Sequence, residues 1–349
     1  MSDKSAIEWT DATWTPIRAR PRSGEKIVGE TGWKTALPGG KPGWYCEHES
    51  EGCRNCYAES MNRRLGTGID FKKQNREKVE IFLDEKMLLA PLRWRKPRMI
   101  FVCSMTDLFA DFVKDEWIDK IFSVMALSPQ HTFQVLTKRS SRMREFLDDR
   151  PDAGEGHRRR WSTIAGQIME DGDNANDYVL NRPWPLPNVW LGISCERQEE
   201  ADKRVPNLLG TPAHTRFVSA EPLLGSINFR HMCDGQYPFD ALAKEPHIDW
   251  IILGGESGHN ARPMNPEWAR SIRDQCVATK SKFFFKQWGT WAPPDVLDYN
   301  PYDEMQRPHV FPNQYKPRCS WEEVFRVGKK AAGRLLDGKI HDEYPRAVS

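Results

Sequence analysis

Cys46, Cys53 and Cys56 stand within eleven residues, spaced Cys-x6-Cys-x2-Cys. Three thiolates on one short loop can hold a metal and leave one coordination position unclaimed by cysteine. Three readings compete. His48 could fill the open position and close a structural zinc site. The thiolates could instead hold a [4Fe–4S] cluster whose fourth iron stays open to a small molecule. Or the thiols are inert and packed as small apolar groups. Spacing alone leans to zinc, because the two kinds of motif overlap and zinc is the commoner.

A second set of polar residues follows short apolar runs. Ser104, Thr106 and Asp107 follow Met99–Cys103, and Lys138 follows 133–136. Ser194 and Glu196 end the run from Val189, and Glu221 follows 216–219. Gly254, Gly255 and Glu256 follow 250–253, and Lys286 and Gln287 follow 282–285. Each residue alone reads as readily as a structural hydrogen bond as a ligand contact. As a set, they fall where parallel strands would end, which is where such folds keep their ligands. The Gly254-Gly-Glu-Ser-Gly258 segment lacks the Gly-Lys-Ser/Thr of a phosphate loop. Its glycines are read as letting backbone approach a ligand. The histidines show no paired metal spacing, and no nucleophile elbow argues for a hydrolase.

The elements that must position these groups follow from the pattern. Ile7–Trp14 reads as a first strand, and a helix starts near Tyr57. Asp84–Trp94 reads as a helix that Pro91 ends or kinks. From Met99 onward, apolar runs alternate with amphipathic stretches at 115–127, 141–147, 198–209 and 266–279. Six or seven such strand–loop–helix units predict an α/β fold: a partial or full (β/α) TIM-like barrel, with a doubly wound sheet as the alternative. On this reading residues 1–289 form the barrel, with insertions near 18–43 and 149–187. Residues 290–349 form a C-terminal extension packed on it, with Val327–Gly338 a compact tail punctuated by turn glycines.

The chain has 349 residues, 39% of them hydrophobic, so a core is available; 14 tryptophans would supply part of it. A domain with that much core needs no metal staple, which moves the cysteine loop from zinc toward the cluster. The net charge of +2 neither demands nor excludes a nucleic-acid partner. Eight cysteines, five of them scattered, do not make a disulfide framework. Met1–Ile7 is polar and no run approaches a membrane span. The expectation is a cytoplasmic protein with reduced thiols and no membrane partner. The oligomeric state is not written in these features.

The Cys53-Arg-Asn-Cys-Tyr-Ala58 block, after an upstream cysteine and before a helix, resembles the cluster motif of the radical S-adenosylmethionine (radical SAM) superfamily. In this form it is similar to spore photoproduct lyase and its relatives. The superfamily's commonest spacing puts three residues between the first two cysteines, and this chain has six. Over most of its length the chain also resembles an uncharacterised phage and prophage family named after phage gene products thirty-seven and sixty-eight. The matching blocks include Ile7–Pro16, Gly52–Ala58, Ser104–Ala110, Leu136–Arg139, Trp190–Glu196, Ser219–Ser226, Gly254–Met264, Phe285–Gly289 and Gly328–Gly338.

The superfamily resemblance implies that Cys46, Cys53 and Cys56 hold three irons and that the fourth chelates S-adenosylmethionine. One electron from a flavodoxin- or ferredoxin-type reductant would cleave the cofactor's carbon–sulfur bond. The resulting 5′-deoxyadenosyl radical would take a hydrogen atom from substrate. Asp107, beside Ser104 and Thr106, would then pair with the cofactor's ammonium. Lys138 would neutralise its carboxylate, and Ser194 and Glu196 would meet the ribose. Tyr57, Glu221, Gly254, Gly255 and Glu256 complete the expected cofactor set. The expected substrate is a nucleic acid or nucleotide, on the strength of the lyase-like block and of Lys138, Arg139, Arg142 and Arg158–Arg160. The alternative is a non-enzymatic zinc-binding module that recognises nucleic acid or a partner protein.

Overall fold

Seven apolar runs become strands of one parallel sheet: β1 (Ala12–Trp14), β2 (Met99–Val102), β3 (Thr132–Thr137), β4 (Val189–Ser194), β5 (Thr215–Ala220), β6 (Trp250–Gly254) and β7 (Lys282–Gln287). The structure is a computed structural model and describes residues 5–23, 26–29, 32–35, 41–148, 153–304, 306–312 and 321–345. The spatial order is β1-β2-β3-β4-β5-β6-β7, the same as the order along the chain. A doubly wound sheet reverses its order at a switch point. This sheet has no reversal, so the doubly wound alternative falls and a mixed α/β fold with a singly wound sheet stands. Central strands are buried along their whole length, β4 and β6 at every residue. That is why they read as unbroken apolar runs.

The chain divides into two compact units. The first comprises Met1–Gly192 with Gly210–Thr215. Here β1 pairs β2 in the register Ala12↔Ile100, and β2 pairs β3 with Ile100↔Phe133. Its helices are α1 (Tyr57–Leu65), α2 (Asp115–Ala126), α3 (Ser140–Leu147), α4 (Ala153–Ile168) and α5 (Gly172–Leu180). Residues 18–43, expected as a loop or insertion, contain regular structure. Ile17–Pro21 is a strand that pairs antiparallel with Val79–Leu83, burying Ile17, Ala19 and Pro21 while Arg18 and Arg20 alternate outward. Lys26–Gly29 and Gly32–Thr35 form a hairpin, and 24–25, 30–31 and 36–40 lie outside the described residues. The 149–187 insertion is the helix pair α4 and α5, with 149–152 outside the described residues. The helix expected over Asp84–Trp94 is one turn, Glu85–Leu88, followed by a 3₁₀ turn, Pro91–Arg93. Asp84 caps it by accepting from the Met87 N–H at 3.1 Å, and Pro91 prevents continuation.

The second unit comprises Ile193–Leu209 and Arg216–Arg346. It carries α6 (Gln198–Leu209) and α7 (Pro266–Thr279). α7 starts as a capped helix should, with Asn265 accepting from the Glu267 N–H at 2.9 Å and Pro266 in its first turn. Strand β6 pairs β5 and β7, and its register with β7 shifts between Leu253 and Gly254. The outer edge of β7 is covered by residues 341–343. Phe285 N–H donates to the His341 carbonyl at 2.8 Å, and Glu343 N–H to that of Phe283 at 3.2 Å. That cover removes an unpaired strand edge. Trp291–Ala292, His309–Phe311 and Glu322–Arg326 make a small antiparallel sheet in the same unit. The tail around Lys329–Ala332 is one helical turn between Gly328 (φ 85) and Gly333 (φ 64). Among the described residues no helix is long and apolar enough to cross a membrane.

Candidate functional site

The cysteine loop has a small core of its own. Tyr45, Ala58, Ile69, Phe71, Val79 and Met105 are buried together, with Cys46 and Cys56 packed against them. Asn62, fully buried on α1, closes the loop's base. Its Oδ1 accepts from the Trp44 and Thr67 N–H groups at 3.0 Å each. Its Nδ2 donates to Thr67 Oγ1 at 2.7 Å and to the Ile69 carbonyl at 3.0 Å. Every bond of this buried amide is made, so the chain enters the loop in one register. Gly43 must be glycine, because a Cβ there would stand 2.2 Å from the Thr67 nitrogen.

The three thiols sit in one another's electrostatic field. Burial pushes the Cys46 thiol up; Asp107, Cys56 and Cys53 add to the rise and Arg139 opposes it. Burial also pushes up Cys56, against the pull of the Glu59 and Ala58 N–H groups at the start of α1 and of Lys138. Cys56 is the residue that opens α1, the position where a helix favours a thiolate. Cys53 Sγ accepts from the Glu49 N–H at 3.4 Å. His48 turns Nε2 to Glu59 Oε1, 3.4 Å away. Among the described residues no three His, Cys, Asp or Glu side chains are drawn together as around a metal ion. All seven described cysteines are free thiols.

Asp107 organises what stands beside them. Its Oδ1 accepts from the Thr137 hydroxyl at 2.7 Å and the Phe109 N–H at 3.0 Å. Its Oδ2 accepts from the Lys138 N–H at 3.0 Å and Arg139 Nη1 at 2.9 Å. Four donors meet the carboxylate, which ties it to the 137–139 backbone and to Arg139. Arg139 continues the chain of contacts, donating from Nη2 to the Glu47 carbonyl at 3.0 Å and lying 3.6 Å from Glu49. Burial works against the charge on Arg139, but Asp107, Cys46 and Glu49 outweigh it and hold the guanidinium protonated. Lys138 reaches the same loop, its Nζ 3.0 Å from Ser50 Oγ. The turn after β2 is tied in as well. Thr106 Oγ1 donates to the Tyr45 carbonyl at 2.6 Å, and Tyr57 Oη to the Ser104 carbonyl at 2.7 Å. Glu47 is clamped by Arg76 at 2.7 and 3.1 Å. So Cys46, Cys53, Cys56, Tyr57, Ser104, Thr106, Asp107 and Lys138 all lie in the first unit, on a loop and turns tied by these bonds, without the three thiols being drawn together as around a metal ion. The structure adds Arg139 and Glu47, whose place the spacing did not reveal.

The remaining expected residues lie in the second unit, at the carboxyl ends of their own strands. Glu196, fully buried, pairs with Arg204 at 3.2 Å, and Arg204 also donates to the Ser194 carbonyl at 2.7 Å. Glu256 is held by Arg262 at 2.7 and 2.9 Å. These two carboxylates are ion-paired to neighbours in their own unit. Glu221 pairs with Lys286 at 3.0 Å and accepts from Ser219 Oγ at 3.1 Å. The glycines have a structural cause: a Cβ on Gly255 would meet the Trp288 carbonyl at 1.9 Å, and one on Gly254 would meet Glu221 Oε1 at 2.7 Å.

Two more of the basic residues that suggested nucleic acid have acid partners, while Arg159 and Arg160 are exposed. Arg142 donates to the Ala110 and Val113 carbonyls and pairs with Asp115 at 2.8 Å. Arg160 pairs with Asp119 at 3.1 Å. A family model described as "Protein of unknown function (DUF5131)" matches residues 40–345. No curated protein and no solved structure matches.

Proposed function

Since the chain belongs to the DUF5131 family of unknown function, we propose from its own residues that it is a radical SAM enzyme built on a partial (β/α) barrel. The observation that carries this reading is the cysteine loop: three thiols within one another's field, on a loop folded by its own core, beside two cations from the end of β3. Cys46, Cys53 and Cys56 would supply the three thiolate ligands of a [4Fe–4S] cluster. Thiolate-bound clusters are tuned by N–H groups aimed at sulfur and by nearby charge. Here the Glu49 N–H meets Cys53, and the first turn of α1 meets Cys56. Arg139 and Lys138 offset negative charge on the thiolates. When bound, the cluster with S-adenosylmethionine would supply one-electron cleavage of the cofactor and hydrogen-atom abstraction from a substrate.

The chain's own groups do the placing. Asp107 locks Arg139 and the 137–139 backbone, and Arg139 holds the cysteine loop by the Glu47 carbonyl. Tyr57 and Thr106 clamp the Ser104–Asp107 turn to that loop, which keeps this turn beside the thiols for the amino-acid end of the cofactor. Cysteines maintained as free thiols go with a reducing, cytoplasmic setting. With Arg139, Arg142 and Arg160 ion-paired, no substrate class is drawn from the basic residues.

The test is anaerobic turnover. Reconstituted protein given S-adenosylmethionine and dithionite should release 5′-deoxyadenosine, and Cys53→Ala should release none. Equal release from both would remove the site assignment. Colourless protein carrying one zinc would return the chain to the zinc-module reading.

A further inference from the structure

Beyond β6 and β7, wholly within the second unit, lies a cleft of about 460 Å³. Gly258 and His259 line it from the segment after β6, and Thr290 from the turn after β7. Arg326 lines it from the end of the strand Glu322–Arg326, with Gly328 and Lys329 just beyond. No Asp or Glu lines it. The cleft along α7 differs: its arginines Arg230, Arg270 and Arg273 are ion-paired, to Asp240, Glu267 and Asp274. Arg326 and His259 form no ion pair among the described residues.

The walls of this cleft are held by bonds of their own. Thr290 Oγ1 accepts from the Gly258 N–H at 3.0 Å and donates to the Gly258 carbonyl at 3.3 Å. The Thr290 carbonyl accepts from the Val327 and Gly328 N–H groups at 3.0 and 2.9 Å. Arg326 Nη2 donates to the His259 carbonyl. Trp291, opposite Arg326 in the small sheet, donates from Nε1 to the Ala261 carbonyl at 2.7 Å. One arm of the guanidinium is thus spent on the wall, and its other N–H groups remain for the cleft. Gly258 (φ 116) and Gly328 (φ 85) hold backbone that residues with side chains rarely adopt. A Cβ on either would meet nothing within 4 Å, so the space over both is open.

We propose that this cleft binds the phosphate group of a small phosphorylated molecule. Two permanent cations with no carboxylate on the walls select an anion. The guanidinium meets phosphate oxygens in pairs, Lys329 adds a point charge, and the imidazole supplies a further donor. Bare backbone at Gly258 and Gly328 lets a tetrahedral group come close. The volume is that of a small-ligand site and exceeds one phosphate, so the phosphate brings an organic group with it. A nucleic-acid strand follows a basic groove several nucleotides long. Here the cations gather at one cleft, which suits a single phosphoryl group. No residue of the cysteine loop takes part, and binding needs neither cluster nor S-adenosylmethionine.

The test follows backbone amide resonances of the full chain as inorganic phosphate is added. Ribose 5-phosphate, adenosine 5′-monophosphate, adenosine and a single-stranded oligonucleotide are then added as competitors. Phosphate should shift Gly258, His259, Gly328 and Lys329 with a Kd on the order of millimolar that weakens as salt rises. At least one of the two phosphate esters should displace it, and adenosine should not. Arg326→Gln/Lys329→Gln should bind phosphate at least tenfold more weakly, with circular dichroism checking that it is folded. The wild-type map of shifts decides the matter even if that variant does not fold. No saturable shift at these residues, or equal binding by a folded variant, overturns the proposal. Phosphate that neither ester displaces marks a site for the free ion and overturns it too. Displacement by adenosine, or by the oligonucleotide at lower concentration than either ester, overturns it in favour of a base or of nucleic acid.

Discussion

Replacing Asp107 by Asn keeps the shape of the side chain and removes its charge. The carboxylate stands 2.9 Å from Arg139 Nη1, and both side chains are nine-tenths buried. Its Oδ2 accepts from two donors, so an amide nitrogen placed there would face N–H groups it cannot satisfy. Breaking a buried pair by removing one charge costs about 3–5 kcal/mol. The conservative substitution should fall at the lower end, about 3 kcal/mol, read as a shift of the urea midpoint. Because Arg139 holds the cysteine loop through Glu47, the loss should appear at Cys46 as well. At a factor of ten per 1.4 kcal/mol, 3 kcal/mol raises the open fraction of the loop by about 150-fold. Thiol labelling followed by peptide mapping measures this directly, with exposed Cys233 as the internal control. A double-mutant cycle with Arg139→Met should give a coupling of about 1–3 kcal/mol. An unchanged midpoint with unchanged Cys46 labelling would refute the argument that Asp107 positions the loop.

Gly43→Ala should destabilise the first unit by more than about 2 kcal/mol in urea unfolding, since its Cβ would collide with backbone at Thr67. Asp119 should matter comparably. It accepts from Trp161 Nε1 at 2.7 Å and from Arg160 at 3.1 Å, and Asp119→Ala should cost about 2–4 kcal/mol. Burial alone would push the Asp119 pKa up, but bonds from His157, Trp161 and Arg160 outweigh it and leave it depressed. Its contribution is therefore present above the unfolded value of about 4 and lost as pH falls through the lower folded value. The stability gap between wild type and Asp119→Ala should be full at neutral pH and close on acidification, as read by denaturant melts across pH.

Regular elements were legible where local and global preferences agree. Gln198–Leu209 and Pro266–Thr279 run to their expected ends, the second because Asn265, Pro266 and the apolar period all speak for the same boundary. Ile17–Pro21 was hidden by its arginines. Arg18 and Arg20 alternate outward over Ile17 and Ala19, a period-two signal that charge composition made look like loop. The cysteine trio is a reading from spacing, and among the described residues no three such side chains are drawn together as around a metal ion. The role of Asp107 was not legible, because its partners Thr137, Lys138 and Arg139 arrive from the next strand, 30 residues on. Glu196 and Glu256 looked available and are ion-paired to Arg204 and Arg262, pairings that only the folded chain makes. Gly255 was read as room for a ligand, and the Trp288 carbonyl occupies that room.

Iron and acid-labile sulfide analysis of protein purified without oxygen tests the central claim most directly. About four irons and four sulfides per chain are predicted, falling to near zero in Cys46→Ala, Cys53→Ala or Cys56→Ala. One zinc per chain, or iron that survives all three substitutions, would contradict it.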